Sequence, residues 1–172
     1  MNNYDPHQLH HRRSIRLQGY DYSQEGLYFV TVCVQNRLNI FGKITCGVMK
    51  LNENGKMIEK TWLDLPNHNS NIILDIFCIM PNHFHAIIEI IVPVGAGSKP
   101  AQKSPNHSLS EIIRQFKTFS SRRINQLSGK QGSVWQRNYY EHIIRNDISY
   151  NNIYWYIMNN PEKWEDDKLF EK

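Results

Sequence analysis

The stretch Ile72–Val92, IILDIFCIMPNHFHAIIEIIV, decides the fold. Two apolar runs rich in β-branched side chains flank Pro81-Asn82, which predicts a tight antiparallel hairpin with strands at 72–80 and 83–92. Asp75 and Glu89 interrupt these runs, so neither approaches the ~18 apolar residues of a membrane-span candidate. In the second strand Phe84, Ala86, Ile88, Ile90 and Val92 share one face suited to a core. His83, His85, Ile87 and Glu89 share the other, less apolar face.

Working outward, residues 27–35 (LYFVTVCVQ) alternate aromatic and β-branched side chains and predict a strand; 47–52 (GVMKLN) predicts a short one. Glu53-Asn54-Gly55 predicts a turn, and 56–65 a helix with Met57, Ile58, Thr61, Trp62 and Leu65 on one face, stopped by Pro66. Beyond the hairpin, residues 93–107 hold three Pro and two Gly and predict a mobile loop. Ser108 and Glu111 sign a capping box for a helix carrying Leu109, Ile112, Ile113, Phe116, Phe119, Ile124 and Leu127 at helical spacing. Residues 134–145 predict a strand and 147–160 a last helix, with Asp147 as N-cap and Pro161 past its end. Strands mixed with helices and joined by a hairpin imply an α+β sandwich, an antiparallel sheet with helices packed on it.

The chain has 172 residues and a net charge of +4, ordinary globular composition for one domain. The expected division is a loose basic tail at 1–20, a domain at 21–165 and a short tail at 166–172. The N-terminus has no apolar signal-like region, and three cysteines without metal-type spacing fit a reduced, cytoplasmic setting. The charge is uneven. Residues 103–145 carry eight Lys/Arg against Glu111 and Glu141, a local +6, while 146–172 carry −3. Aromatic residues interleave with the basic ones, a mix that suits phosphate contacts and base stacking as well as it suits a solvated helix face.

Candidate chemistry lies in two places. His83 and His85, at i and i+2, have Cα atoms ~6.5 Å apart on one strand face and can converge on one metal. On spacing alone, two polar residues on a half-exposed strand explain them better. Tyr156 and Asn160, at i and i+4, stack one turn apart on the last helix. A tyrosine hydroxyl is a competent nucleophile beside a metal, and an amide oxygen can complete a site begun by two histidines. Simple packing of the helix aromatics is the alternative.

The run MPNHFHAIIEI (80–90) resembles the His-hydrophobe-His strand of the HUH single-tyrosine transposases. The runs VWQRNYYEHIIRN (134–146) and YIMNNPEKW (156–164) resemble the C-terminal signature of their REP-associated tyrosine transposase branch. The likeness spans roughly residues 10–165, with the three blocks in the family's order. It implies a ferredoxin-like antiparallel sheet flanked by α-helices, a divalent cofactor (Mg²⁺ or Mn²⁺) held by His83, His85 and Asn160, and Tyr156 as the nucleophile. It also implies nicking and rejoining of single-stranded DNA hairpins, such as palindromic repeats, through a 5′-phosphotyrosine.

Under that resemblance Arg114, Lys117, Arg122, Arg123, Arg137 and Arg145 are the DNA-binding candidates, and Arg12, Arg13 and Arg16 are lesser ones. His142 would line the DNA site or sit in the core, and Glu89 would orient a ligand histidine or face solvent. No membrane partner is expected, and the enzyme would be a monomer or a homodimer. A non-catalytic nucleic-acid-binding protein and a phosphoesterase using water are the competing functions.

Overall fold

A computed structural model describes residues 20–91, 107–129 and 131–170. The expected N-terminal tail with Arg12, Arg13 and Arg16, and nearly all of the expected loop at 93–107, lie outside the described residues. The elements run β1 (Gly26–Cys33), β2 (Gly42–Thr45), β3 (Val48–Leu51), α1 (Glu53–Leu63), β4 (Ile72–Ile79), β5 (His83–Ile90), α2 (Leu109–Ser128), β6 (Tyr140–Ile144) and α3 (Asp147–Asn159). The main sheet is antiparallel in the order β4-β5-β1-β6, and β2-β3 form a separate hairpin. Without that hairpin, the chain runs strand-helix-strand-strand-helix-strand, the ferredoxin-like α+β arrangement expected. The last helix, α3, follows it.

Alternation along β1 and β5 divides the molecule into two unequal sides. Tyr28, Val30 and Val32 of β1 and Phe84, Ala86, Ile88 and Ile90 of β5 join Ile58 and Trp62 of α1 and Ile112, Ile113 and Phe116 of α2 in the main core. Trp62 packs on Phe84 and Phe116 with ring centroids 4.8 and 5.2 Å apart. The opposite face holds a smaller cluster, Phe29, Ile87 and Ile144 beneath Ile157 of α3.

Several local expectations change. Glu53-Asn54-Gly55 is the first turn of α1, because the Asn52 side chain caps it by accepting from the Gly55 N–H at 3.0 Å. Glycine is needed there for space, since a Cβ would sit 2.3 Å from the Phe41 carbonyl oxygen. Likewise Asn146, not Asp147, caps α3, by accepting from the Ser149 N–H at 2.8 Å. The strand expected over 134–145 shortens to β6. Its first part is irregular, touching β1's end through a single Val34–Trp135 bridge, where the Trp135 indole donates to the buried Ser120 hydroxyl. Ser108 caps α2, but the Glu111 carboxylate binds Arg114. Leu127, expected in the core, is 55% exposed.

Residues 166–170 are more than a tail. The Asn82 amide donates to the Leu169 carbonyl at 2.8 Å, and the Phe170 ring lies edge-on to Trp164. No described helix is long and apolar enough to cross a membrane.

Candidate active site: a histidine pair beneath a tyrosine helix

The α3 side of the sheet buries polar groups. His83 and His85 are 0% and 1% exposed, so the half-exposed strand expected from alternation is covered. What covers it is α3 and the chain after it, which wraps back over the start of β5. Each imidazole is held at Nδ1. Asn82 directs its amide N–H groups to the carbonyls of Arg37 and Leu169, at 3.2 and 2.8 Å. Its oxygen therefore faces His83 Nδ1 at 2.8 Å and accepts the proton there. The Nε2 lone pair of His83 is left buried, with no hydrogen-bond partner. Thr31, across the β1–β5 register from His85, holds that ring's Nδ1 at 2.8 Å.

Burial favours neutral imidazoles. Desolvation, against a weaker opposing pull from Asp167, lowers the His83 pKa to about 4. Burial, and then the neighbouring His83, holds His85 well below the ordinary histidine value. A neutral imidazole is the form that ligates a metal, and the His83 Nε2 has no hydrogen-bond partner.

Tyr156 arrives from the helix above. Its hydroxyl is 3.3 Å from His85 Nε2, and its ring lies edge-on to Phe29 at 6.1 Å. Burial, and then the Asp167 carboxylate, raises the Tyr156 pKa, so the phenol is protonated at neutral pH. One turn later Asn160 is 3% exposed. Its amide donates to the Asp167 carboxylate at 3.1 Å, while its Oδ1 is buried with no hydrogen-bond partner. The helix is pinned by Tyr150, whose hydroxyl donates to Asp75 at 2.8 Å; the adjacent irregularity between Leu74 and Phe77 breaks the regular β4–β5 register.

Sequence reasoning missed Asp167. The ligand atoms of His83, His85 and Asp167 lie within 4.8 Å of one another. Two imidazole nitrogens and a carboxylate at that separation fit a divalent ion, and the buried, unpartnered Asn160 oxygen is a further donor of suitable chemistry. Asp167 stands in a run of acidic residues past the helix, where nothing marks one carboxylate from the next. Asn82 read only as a turn residue, and Thr31 becomes relevant only once the β1–β5 register is known.

Other candidates fall elsewhere. Glu89 stays half-buried at the far end of β5, ~13 Å along the strand from His85. Asn82 and Thr31, not Glu89, orient the histidines. His142 is exposed on β6, 3.5 Å from the Ser149 hydroxyl, and is not a core histidine.

The basic candidates divide. Arg114, Arg122, Arg137 and Arg145 are exposed, with Arg114 paired to Glu111. The Lys117 ammonium is tied to the carbonyls of Gln136 and Arg137 at 2.6 and 2.8 Å. Arg123 clips α2 to α1 through Thr61 and Asp64 at 2.9 and 3.0 Å. Arg114, Lys117 and Arg137 line a groove of about 550 Å³ between α2 and the segment before β6. Because α2 and α3 pack on opposite faces of the sheet, this groove is separate from the histidine pair.

Comparison with known proteins bears on the family and the fold. The family model described as "Transposase IS200 like" matches residues 100–160. An uncharacterized protein of Haemophilus influenzae is 43% identical over 94% of each chain. A second protein of that organism, provisionally named a REP-associated tyrosine transposase, is 26% identical over 83% of this chain and 74% of its own. Among solved structures, a REP-associated tyrosine transposase bound to a REP hairpin shares the fold with a TM-score of 0.58. It is 19% identical, over 87% of this chain and 73% of its own. Residues 100–160 thus match the IS200-like transposase family model, and the chain as a whole is similar to a REP-associated tyrosine transposase in sequence and fold.

Proposed function

We propose that the protein nicks and rejoins single-stranded hairpin DNA by tyrosine attack at a divalent-metal site. The observation that carries this reading is the convergence of Tyr156 Oη, 3.3 Å from His85 Nε2, with two buried ligand atoms that have no hydrogen-bond partner, His83 Nε2 and Asn160 Oδ1. His83, His85, Asp167 and Asn160 would hold the ion, Mg²⁺ or Mn²⁺. When bound, the ion supplies positive charge against the developing charge of a scissile phosphate. Asn82 and Thr31 keep both imidazoles turned so that Nε2 faces the site.

Tyr156 attacks phosphorus in line. The Oη–P bond forms as the P–O3′ bond breaks, leaving a 5′-phosphotyrosine, and the departing 3′ oxygen takes a proton to become a 3′-OH. Tyr156 is 46% exposed, so its own proton passes to solvent water. A second strand's 3′-OH reverses the step and rejoins the DNA without another energy source. The similarity to a protein provisionally named a REP-associated tyrosine transposase, and the hairpin bound to the solved structure of like fold, support a hairpin substrate. Arg122, Arg137 and Arg145 are exposed and placed to contact its phosphates, whereas Arg114 would first have to leave Glu111.

Labelled hairpin DNA incubated with the protein and Mn²⁺, then run on a denaturing gel, tests the reading. A covalent protein–DNA band that disappears in Tyr156→Phe is expected. Cleavage that persists in Tyr156→Phe assigns the attack to water, and binding with no cleavage at any metal makes the protein a non-catalytic DNA binder.

A further inference from the structure

Beside the histidine pair, a cleft of about 430 Å³ opens between β6, Phe29 of β1 and the first turns of α3. Its walls include Phe29, Tyr140, His142, Ile148, Ser149 and Asn152. We propose that this cleft receives one unstacked nucleobase of the strand being cut, and so sets the base preferred next to the scissile phosphate. The proposal rests on Tyr156 being the nucleophile, and it adds a specificity pocket that the reaction itself does not require.

Three observations carry it. The first is chemical. Among the described residues, no lysine, arginine, aspartate or glutamate lines the cleft, so it is not matched to a phosphate, which suits the basic groove across the sheet. Aromatic rings beside amide, imidazole and hydroxyl groups match a flat neutral ring with donors and acceptors on its edge.

The second is position. The Phe29 ring is shared between the two sites: its centroid is 6.1 Å from Tyr140 on the cleft side and 6.1 Å from Tyr156 on the other, and it stacks on His85 at 5.6 Å. Ile148, Asn152, Tyr156 and Asn160 succeed one another at four-residue spacing along α3. Asn152 therefore lies one turn, ~6 Å, before the nucleophile, close enough for the base next to the attacked phosphate.

The third is availability. Tyr140 is 47% exposed and Ile148 76%, both large apolar surfaces at the cleft. An unstacked base would cover them.

A pool of hairpins with randomised single-stranded flanks, selected on the full-length Tyr156→Phe protein and sequenced, tests the proposal without needing cleavage. One flanking position should favour one base by about tenfold, the discrimination that stacking plus a paired base edge provides. Asn152→Ala and Tyr140→Ala, each added to that protein, should flatten the preference at that position, lower affinity for hairpins with the favoured base by about tenfold, and leave a hairpin without single-stranded flanks bound within about twofold. A pool with no favoured position, or a preference that survives both substitutions, overturns the proposal. So does a dimer in sedimentation that Ile148→Ser dissociates, because a second copy would then fill the cleft. Wild-type protein that forms no covalent adduct while the Asn152-dependent preference persists defeats the nuclease reading and upholds the pocket.

Discussion

The two faces of the central sheet are built on the same strands and to opposite ends. Toward α1 and α2, β1 and β5 present Tyr28, Val30, Val32, Phe84, Ala86 and Ile88, all fully buried, in a core that interlocks Trp62, Phe84 and Phe116. Toward α3, the same strands present Thr31, His83 and His85, and only Phe29, Ile87, Ile144 and Ile157 form a buried apolar cluster. Burying two imidazoles costs free energy unless their polar atoms are paired. Here one nitrogen of each is paired through Asn82 and Thr31, and His83 Nε2 has no hydrogen-bond partner. One face is built for stability, while the other keeps a buried imidazole nitrogen unpaired and accepts the loss.

Substitutions on the two faces should therefore separate stability from chemistry. His85→Ala is expected to abolish Mn²⁺ binding, read by calorimetry, and covalent adduct formation on the gel, while destabilising the fold less than Trp62→Ala. Trp62→Ala should cost about 3–5 kcal/mol in urea unfolding and, in the fraction still folded, retain metal binding. If His85→Ala unfolds the protein and Trp62→Ala spares it, the division between faces fails.

Asn82→Ala tests the layer beneath the ligands. The His83 ring would lose the acceptor that fixes its Nδ1 proton, and metal affinity should fall by about 10–100-fold. Unchanged affinity would mean that the metal alone orients the ring.

Acid should strike the two faces in different windows. His83 titrates at about 4 in the folded chain against an ordinary value of 6.5, so between these values the unfolded chain takes up protons that the folded one refuses. Stability of the metal-free protein should fall as pH drops through that range. Asp64, on the α1–α2 side, is lowered to about 2 by its hydrogen bonds to Asn67 and then Arg123. Its contribution is complete above 3.8 and is lost only as pH falls toward 2. Thermal melts from pH 7 to 3 should show the first window, and His83→Gln should narrow it, with the buried His85 supplying the remainder.

The smallest effects concern neighbouring arginines. Arg122→Ala should lower the slope of log affinity for hairpin DNA against log salt by ~0.9 without changing stability. Arg123→Ala should lower stability slightly and leave that slope unchanged, because its guanidinium is engaged by Thr61 and Asp64. Equal slopes for both variants would put Arg123 on the DNA as well.

Much of this was legible in the chain itself. The hairpin at 72–92 was recoverable because short-range pattern determines it: alternation, β-branching and a Pro-Asn turn. The pairings His83/His85 and Tyr156/Asn160 were likewise set by strand and helix periodicity, which places i, i+2 and i, i+4 side chains together whatever surrounds them. Boundaries were less secure where a side chain settles them. Asn52 and Asn146 compete with their neighbours for the capping role, and only the backbone geometry chooses.

Only the tertiary structure brought the helix pair onto the strand pair, 73 residues away in the case of His83 and Tyr156. It folded the acidic end back so that Asp167 joins the histidines. It also withdrew Arg123 and Lys117 from the open basic surface by giving them partners within the chain. The reason is one of range. Periodicity places a side chain on a face of its own element, whereas which faces meet depends on burial across the whole sheet. A lone carboxylate such as Asp167 leaves no periodic trace at all.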